Sequence, residues 1–138
     1  MAKVLTGGCL CGAIRYQTTA EPFDADHCHC RQCQRGSGGI LNSWMDFKAE
    51  QINWLNQPPR EFASSAKIHR GFCSTCGSTI SYRHSDYPHY LTLTIASLDN
   101  PNHVKPNYHI FTASQPDWLS INDDCPRYKH QRTKPSSN

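Results

Sequence analysis

Seven of the eight cysteines in this 138-residue chain fall into three short motifs: Cys9-Leu10-Cys11, Cys28-His29-Cys30-Arg31-Gln32-Cys33 and Cys73-Ser74-Thr75-Cys76. Cys125 stands alone. Thiols at such spacings bridge in an oxidising compartment and ligate metal in a reducing one. The first residues contain no apolar run of signal-peptide length, and no later stretch approaches the length of a membrane span. The expectation is therefore a soluble, cytoplasmic protein whose cysteines hold metal. The C-x-C spacing agrees, because a disulfide across so small a ring is strained, whereas one ion accepts both thiolates.

Ligand arithmetic divides the motifs. In an extended segment, residues i and i+2 point to one side, so Cys9 and Cys11 can face one ion while Leu10 faces away. Cys73-x-x-Cys76-Gly77 has the form of a zinc knuckle, a tight turn that brings two sulfurs onto one metal, and it too supplies only two ligands. Joined, Cys9, Cys11, Cys73 and Cys76 make a closed structural zinc site that closes a long loop. Cys28, Cys30 and Cys33 remain as three ligands of a second zinc. Three protein ligands leave one coordination position open, which is the mark of a catalytic rather than a saturated structural site. The competing reading is a second structural site completed by His27, His69 or Cys125. His29 is expected to point away from its flanking cysteines.

These motifs need a scaffold to hold them, and the pattern reads as mainly β with little helix. Residues 90–95 alternate most clearly and are rich in β-branched and aromatic side chains. Residues 6–19, 40–47, 67–72, 79–83 and 108–112 are further strand candidates, and 31–35 is a candidate helical turn. Only 37% of the residues are hydrophobic, so metal ligation is expected to supplement a thin core. The length suits one domain, 1–128, followed by a polar tail, 129–138, expected to be disordered. A net charge of +3, without a dense basic and aromatic stripe, argues against nucleic-acid binding, and no membrane partner is expected.

Three segments, in order, resemble the signature of the glutathione-dependent formaldehyde-activating enzyme family: residues 7–16 around Gly-Gly-Cys-Leu-Cys-Gly, residues 28–38 around Cys-His-Cys-Arg-Gln-Cys, and residues 72–78 around Cys-Ser-Thr-Cys-Gly-Ser. Tyr108-His109-Ile110-Phe111, Ser114, Trp118 and Asp123 are similar to that family's C-terminal segment. The resemblance implies a β-tent of antiparallel sheets stapled by zinc. It implies a structural zinc on Cys9, Cys11, Cys73 and Cys76 and a second zinc on Cys28, Cys30 and Cys33, whose open position makes it the labile one of the two. It also implies a carbon-sulfur lyase-type reaction, the reversible addition of the glutathione thiol to formaldehyde or a related aldehyde, with no acid or base residue assigned. Glutathione carries two carboxylates and an ammonium, so Arg31, Arg35, Lys67, His69 and Arg70 are candidate contacts, weighed against ordinary surface roles. Trp44, Trp54 and Trp118 are candidate pocket residues, weighed against core packing. The alternative to an enzyme is a zinc-stabilised binding module, either a thiol carrier or a protein-interaction scaffold.

Overall fold

The computed structural model describes residues 4–132. Among these residues, the strands are β1 (Thr6–Gly8), β2 (Arg15–Thr18), β3 (Asp24–Cys28), β4 (Asn42–Lys48), β5 (Ile52–Trp54), β6 (Arg60–Ala63), β7 (Ile68–Phe72), β8 (Thr79–His84), β9 (Tyr90–Thr94) and β10 (His109–Ile110). The α-helix α1 spans Arg31–Ser37, and the remaining helical turns are short 3-10 pieces. The fold is mainly β, as expected.

A small sheet has the order β1-β2-β5, and a large one the order β10-β3-β4-β9-β8-β7-β6. Among the described residues, the named strands all pair antiparallel except that β10 runs parallel to β3, with His109 opposite His27 and Ile110 opposite Cys28. A parallel neighbour requires a long crossover. Here the connection from β3 to β10 takes in α1, β4 to β9 and, after β9, two 3-10 turns.

The core lies where the two sheets meet. Leu5, Ile14 and Tyr16 from the small sheet's side pack with Met45, Phe47 and Leu93 of the large sheet, and all six are essentially inaccessible. Alternation explains this selection: Met45 and Phe47 face the core from β4, while Trp44 and Asp46 face the other side. The opposite face of the large sheet therefore carries a second cluster of Cys28, Cys33 and Trp44, with Tyr82, Ile110 and Phe111 packed against it.

Several expected strands shift. Residues 6–19 are broken into β1 and β2, because Gly12 takes a left-handed φ of 84° and its N–H bonds back to Cys9 O at 3.2 Å. Cys9 and Cys11 thus meet through a turn and not through an extended pleat. The strand expected at 108–112 shrinks to β10, because Phe111 has φ 55° and stops the ladder. The helical turn expected at 31–35 runs on to Ser37: Cys30 Sγ caps its start by accepting from Cys33 N–H, and Gly38, at φ 80°, closes its end on Gln34 O.

Of the tail expected to be disordered, residues 129–132 are described. Lys129 O and His130 O accept from Ala113 N–H and Phe111 N–H at 3.2 and 2.9 Å, and Arg132 lies over the Tyr108 ring. The remainder of that expectation, 133–138, lies outside the described residues.

Candidate metal centres and the cavity beside them

The turn between β1 and β2 and the turn between β7 and β8 come together. Cys9, Cys11, Cys73 and Cys76 have their sulfurs within 4.8 Å of one another. The Cys9–Cys11 separation is 3.6 Å and the Cys11–Cys73 separation is 3.8 Å. A tetrahedron with metal–sulfur bonds of about 2.3 Å has a sulfur–sulfur edge of ~3.8 Å, so these separations fit a shared ion and are far too long for a disulfide. All eight cysteines are free. Backbone N–H groups already point at the sulfurs: Ile14 N–H at Cys9 Sγ, 3.2 Å, and Thr75 and Cys76 N–H at Cys73 Sγ, both 3.4 Å. Such donors stabilise thiolate charge. Gly77, at φ 80°, lets the knuckle close, with its N–H on Cys73 O at 2.8 Å.

The second cluster joins the end of β3 to the start of α1. Cys28 is the last residue of β3, Cys30 caps α1, and Cys33 sits in its first turn. Their sulfurs lie within 4.8 Å of one another. With protons alone to share, the Cys28 and Cys33 thiols donate to Cys30 and hold it far below the ordinary thiol range, while the same sharing pushes Cys28 far up. Three sulfurs competing for too few acceptors are a ready ligand set for a cation. Among the described residues, neither His27, His69 nor Cys125 joins this group.

These sulfurs stand on the wall of a cavity of about 660 Å³, whose lining includes Asp26, Trp44, Asp46, Arg70, Tyr82 and Tyr108. This volume suits a peptide-sized small molecule. Of the proposed basic contacts, Arg31 and Arg70 line it, whereas Arg35, Lys67 and His69 do not. Trp44 lines it too, while Trp54 stands edge-on to Tyr16 and Trp118 is 72% exposed.

The cavity floor is acidic, a feature not anticipated. Asp24 and Asp26 share a face of β3 with Cys28, and Asp46 stands opposite Asp24 on β4. Tyr108 donates to Asp24 at 2.6 Å and Thr92 to Asp46 at 2.7 Å. Asp26 Oδ1 is buried without a hydrogen-bond partner among the described residues. Its carboxyl is pushed up to about 7, first by burial and then by the neighbouring Asp46 and Asp24.

Behind the sulfurs lies a chain of imidazoles. His29 is fully buried on the side away from Cys28 and Cys30, where its Nε2 lies 2.8 Å from His109 Nδ1. His109 Nε2 lies 2.9 Å from Asp123 Oδ2. Asp123 is held well below the usual carboxylate range by His109, so it accepts from His109 Nε2–H, and His109 Nδ1 accepts from His29 Nε2–H. Burial pulls His29 down to about 4, which keeps this ring neutral. His27, His109 and Asp123 also lie within 4.8 Å of one another, a spacing that could hold an ion. Arg127 Nη1, however, sits 3.0 Å from Asp123, and both His109 nitrogens are engaged, so the group works as a hydrogen-bonded chain. The register of β10 on β3 creates it, and no local motif announces such a pairing.

Two sulfur clusters of this form, on two sheets built in this order, invite comparison with known proteins. The sequence profile described as glutathione-dependent formaldehyde-activating enzyme matches residues 4–114. The chain belongs to that family. Within and beyond it, the chain is 25% identical, over 86% of its length and 81% of the relative's, to a Halomonas elongata protein provisionally named as a glutathione-dependent formaldehyde-activating enzyme. It is 29% identical to an uncharacterized lyase of Schizosaccharomyces pombe, over 62% of this chain and 63% of that one. A crystal structure of a Rhodobacter sphaeroides protein shares the fold, with a TM-score of 0.59 and 18% identity over 89% of this chain and 99% of the other. Residues 127–132 lie beyond the family match; among them Arg127 donates to Asp123, and Gln131 and Arg132 line the cavity. No helix among the described residues is long and apolar enough to cross a membrane.

Proposed function

We propose that the chain is a zinc-dependent carbon-sulfur lyase-type enzyme that adds the glutathione thiol reversibly to formaldehyde or a related small aldehyde. Family membership supports the class. The observation that carries the assignment is that Cys28, Cys30 and Cys33 form a group of three sulfurs, with no fourth protein ligand among the described residues, on the wall of the cavity. In this reading Cys9, Cys11, Cys73 and Cys76 hold a structural zinc, since the four together satisfy a tetrahedral ion. The eight free cysteines accord with a reducing compartment, and we place the protein in the cytoplasm.

A zinc ion held by Cys28, Cys30 and Cys33 would supply positive charge that favours a thiol in its nucleophilic thiolate form. The chain's own residues do the rest. The cavity holds the tripeptide beside the sulfurs, where Trp44 and Tyr82 pack against Cys28 and Cys33 and give the site an apolar wall. In the forward direction the thiol loses its proton, the sulfur forms a bond to the carbonyl carbon, and the carbonyl π pair moves onto oxygen, which takes up a proton. Reversal breaks the same carbon-sulfur bond. The protons lost and gained balance, so no oxidant or reductant is required.

The test is the rate at which S-hydroxymethylglutathione forms and decays, followed by exchange NMR at known enzyme concentration, because the addition also proceeds uncatalysed. Acceleration proportional to protein supports the enzyme. Saturable glutathione binding at an unchanged rate supports a carrier instead. Zinc per chain, before and after a glutathione wash, tests the metal assignment: two falling toward about one marks an exchangeable second site.

A further inference from the structure

Arg70 reaches the sulfur trio from a strand 37 positions further along the chain, and its Nη1 lies 3.5 Å from Cys33 Sγ. Its placement is built in. Its Nε bonds Ser64 Oγ at 3.3 Å, and its guanidinium carbon lies 5.3 Å from the centre of the Tyr82 ring, itself packed against Trp44. The side chain is half-buried and lines both the large cavity and a smaller one of about 280 Å³ that shares Cys33 and Trp44 with it. Among the described residues Arg70 forms no ion pair with a carboxylate, whereas Arg15, Arg83, Arg127 and Arg132 each do. Its charge is directed at sulfur.

Three thiolates around a divalent cation leave a net charge of about −1, and an approaching fourth anionic sulfur makes it about −2. That repulsion works against holding the substrate thiol in its reactive form. We propose that Arg70 is the positioning residue that offsets this charge, allowing an incoming thiol to be held as its anion beside Cys33. The inference rests on the thiol-aldehyde reading of the site and assigns Arg70 a partner different from the carboxylates of glutathione. A fixed guanidinium suits this task because it is always charged and its planar fork stays in place on the Tyr82 ring.

The experiment compares wild type with Arg70→Met and Arg70→Lys by calorimetric titration, after zinc per chain has been measured on each. The probes are glutathione, 2-mercaptoethanol, which is a thiol without carboxylates, and S-methylglutathione, which has the carboxylates but no ionisable thiol. The expected result is unchanged zinc content, with glutathione and 2-mercaptoethanol each bound roughly ten-fold or more weakly by Arg70→Met. S-methylglutathione should bind both proteins alike, and Arg70→Lys should recover most of the loss. Equal weakening of glutathione and S-methylglutathione, with 2-mercaptoethanol unaffected, would show that Arg70 meets a carboxylate and overturn the proposal. Loss of zinc from Arg70→Met would overturn it as well, because the residue would then be retaining the metal. Unchanged thiol affinity in Arg70→Met sinks the inference but leaves the proposed function standing. Wild type that binds 2-mercaptoethanol but not glutathione sinks the glutathione reading while the Arg70 comparison still decides, and wild type that binds neither thiol sinks both.

Discussion

Cys11 and Cys73 are 62 positions apart in sequence, and their sulfurs lie 3.8 Å apart. One belongs to the turn that joins the strands of the small sheet, the other to a turn at the end of the large one. The four-sulfur group therefore ties the two sheets together across the edge of the core, and Cys73 itself is packed among the core residues.

Cys9→Ser or Cys76→Ser should accordingly unfold or aggregate the protein, costing more than about 5 kcal/mol, because metal binding at such a site is part of the folding free energy. Cys30→Ser should leave the melting temperature within a few degrees of wild type and abolish thiol-dependent activity. Circular-dichroism melts with zinc analysis check both. Equal unfolding by all three substitutions would show that the division into structural and reactive sites is wrong.

His109→Leu removes the middle of the Asp123–His109–His29 chain and leaves His29 with neither nitrogen paired. A loss of about 2 to 4 kcal/mol is expected, measured by denaturant unfolding. Asp123→Asn keeps an acceptor oxygen for His109 and should cost no more than about half as much. A His109→Leu protein as stable as wild type would mean that the chain contributes nothing to holding the Cys28 to Cys30 segment.

Gly7→Ala tests the close approach of β1 to its neighbour β2 and to the 3-10 turn Ile95–Ser97. A Cβ at this position would run into the Tyr16 hydroxyl and the Ser97 carbonyl, and Tyr16 is already fixed by a 2.7 Å bond to Ser97 Oγ. Neither neighbour is the end of a flexible side chain, so the melting temperature should fall by about 5 to 10 °C. Gly12→Ala, with open space around it but φ 84°, should cost only about 1 kcal/mol.

Asp26 sets a pH dependence. Its folded-state carboxyl is raised to about 7, mainly by burial and then by Asp46 and Asp24, from the unfolded value near 4. The folded state binds the proton more tightly, so this contribution is fully present below about pH 4 and lost as pH rises to about 7. Asp26→Asn should therefore raise the melting temperature at pH 8 and flatten the fall in stability between about pH 4 and 7. The difference between variant and wild type at each pH cancels the shared titration of the zinc ligands. A wild type and variant that run parallel across this range would show that Asp26 ionises freely.

Much of the grouping of the thiols was legible in the cysteine spacing, because a C-x-C or C-x-x-C pair is a local object and a tetrahedral ion would take four ligands. The grouping of Cys9, Cys11, Cys73 and Cys76 follows from that count, and the structure brings those sulfurs together. The strand at Tyr90–Thr94 was equally legible, since one face meets the core and the other does not. β3 was not: Asp24, Asp26 and Cys28 face the cavity and His27 faces His109, so neither face shows the alternation that marks a half-buried strand. β6 escaped for the opposite reason, because all four of its residues are exposed and nothing selects an apolar side.

By itself, then, the sequence determined that the chain is a small β protein organised by two sets of thiols, since ligand count, turn residues and alternation are set by neighbours a few positions apart. Tertiary structure alone decided that Arg70 faces Cys33, that three aspartates floor the cavity, and that Asp123 and His109 support His29. Those relationships depend on strand order and register, above all on β10 lying parallel to β3, and register is fixed by packing of the whole sheet rather than by any local run of residues.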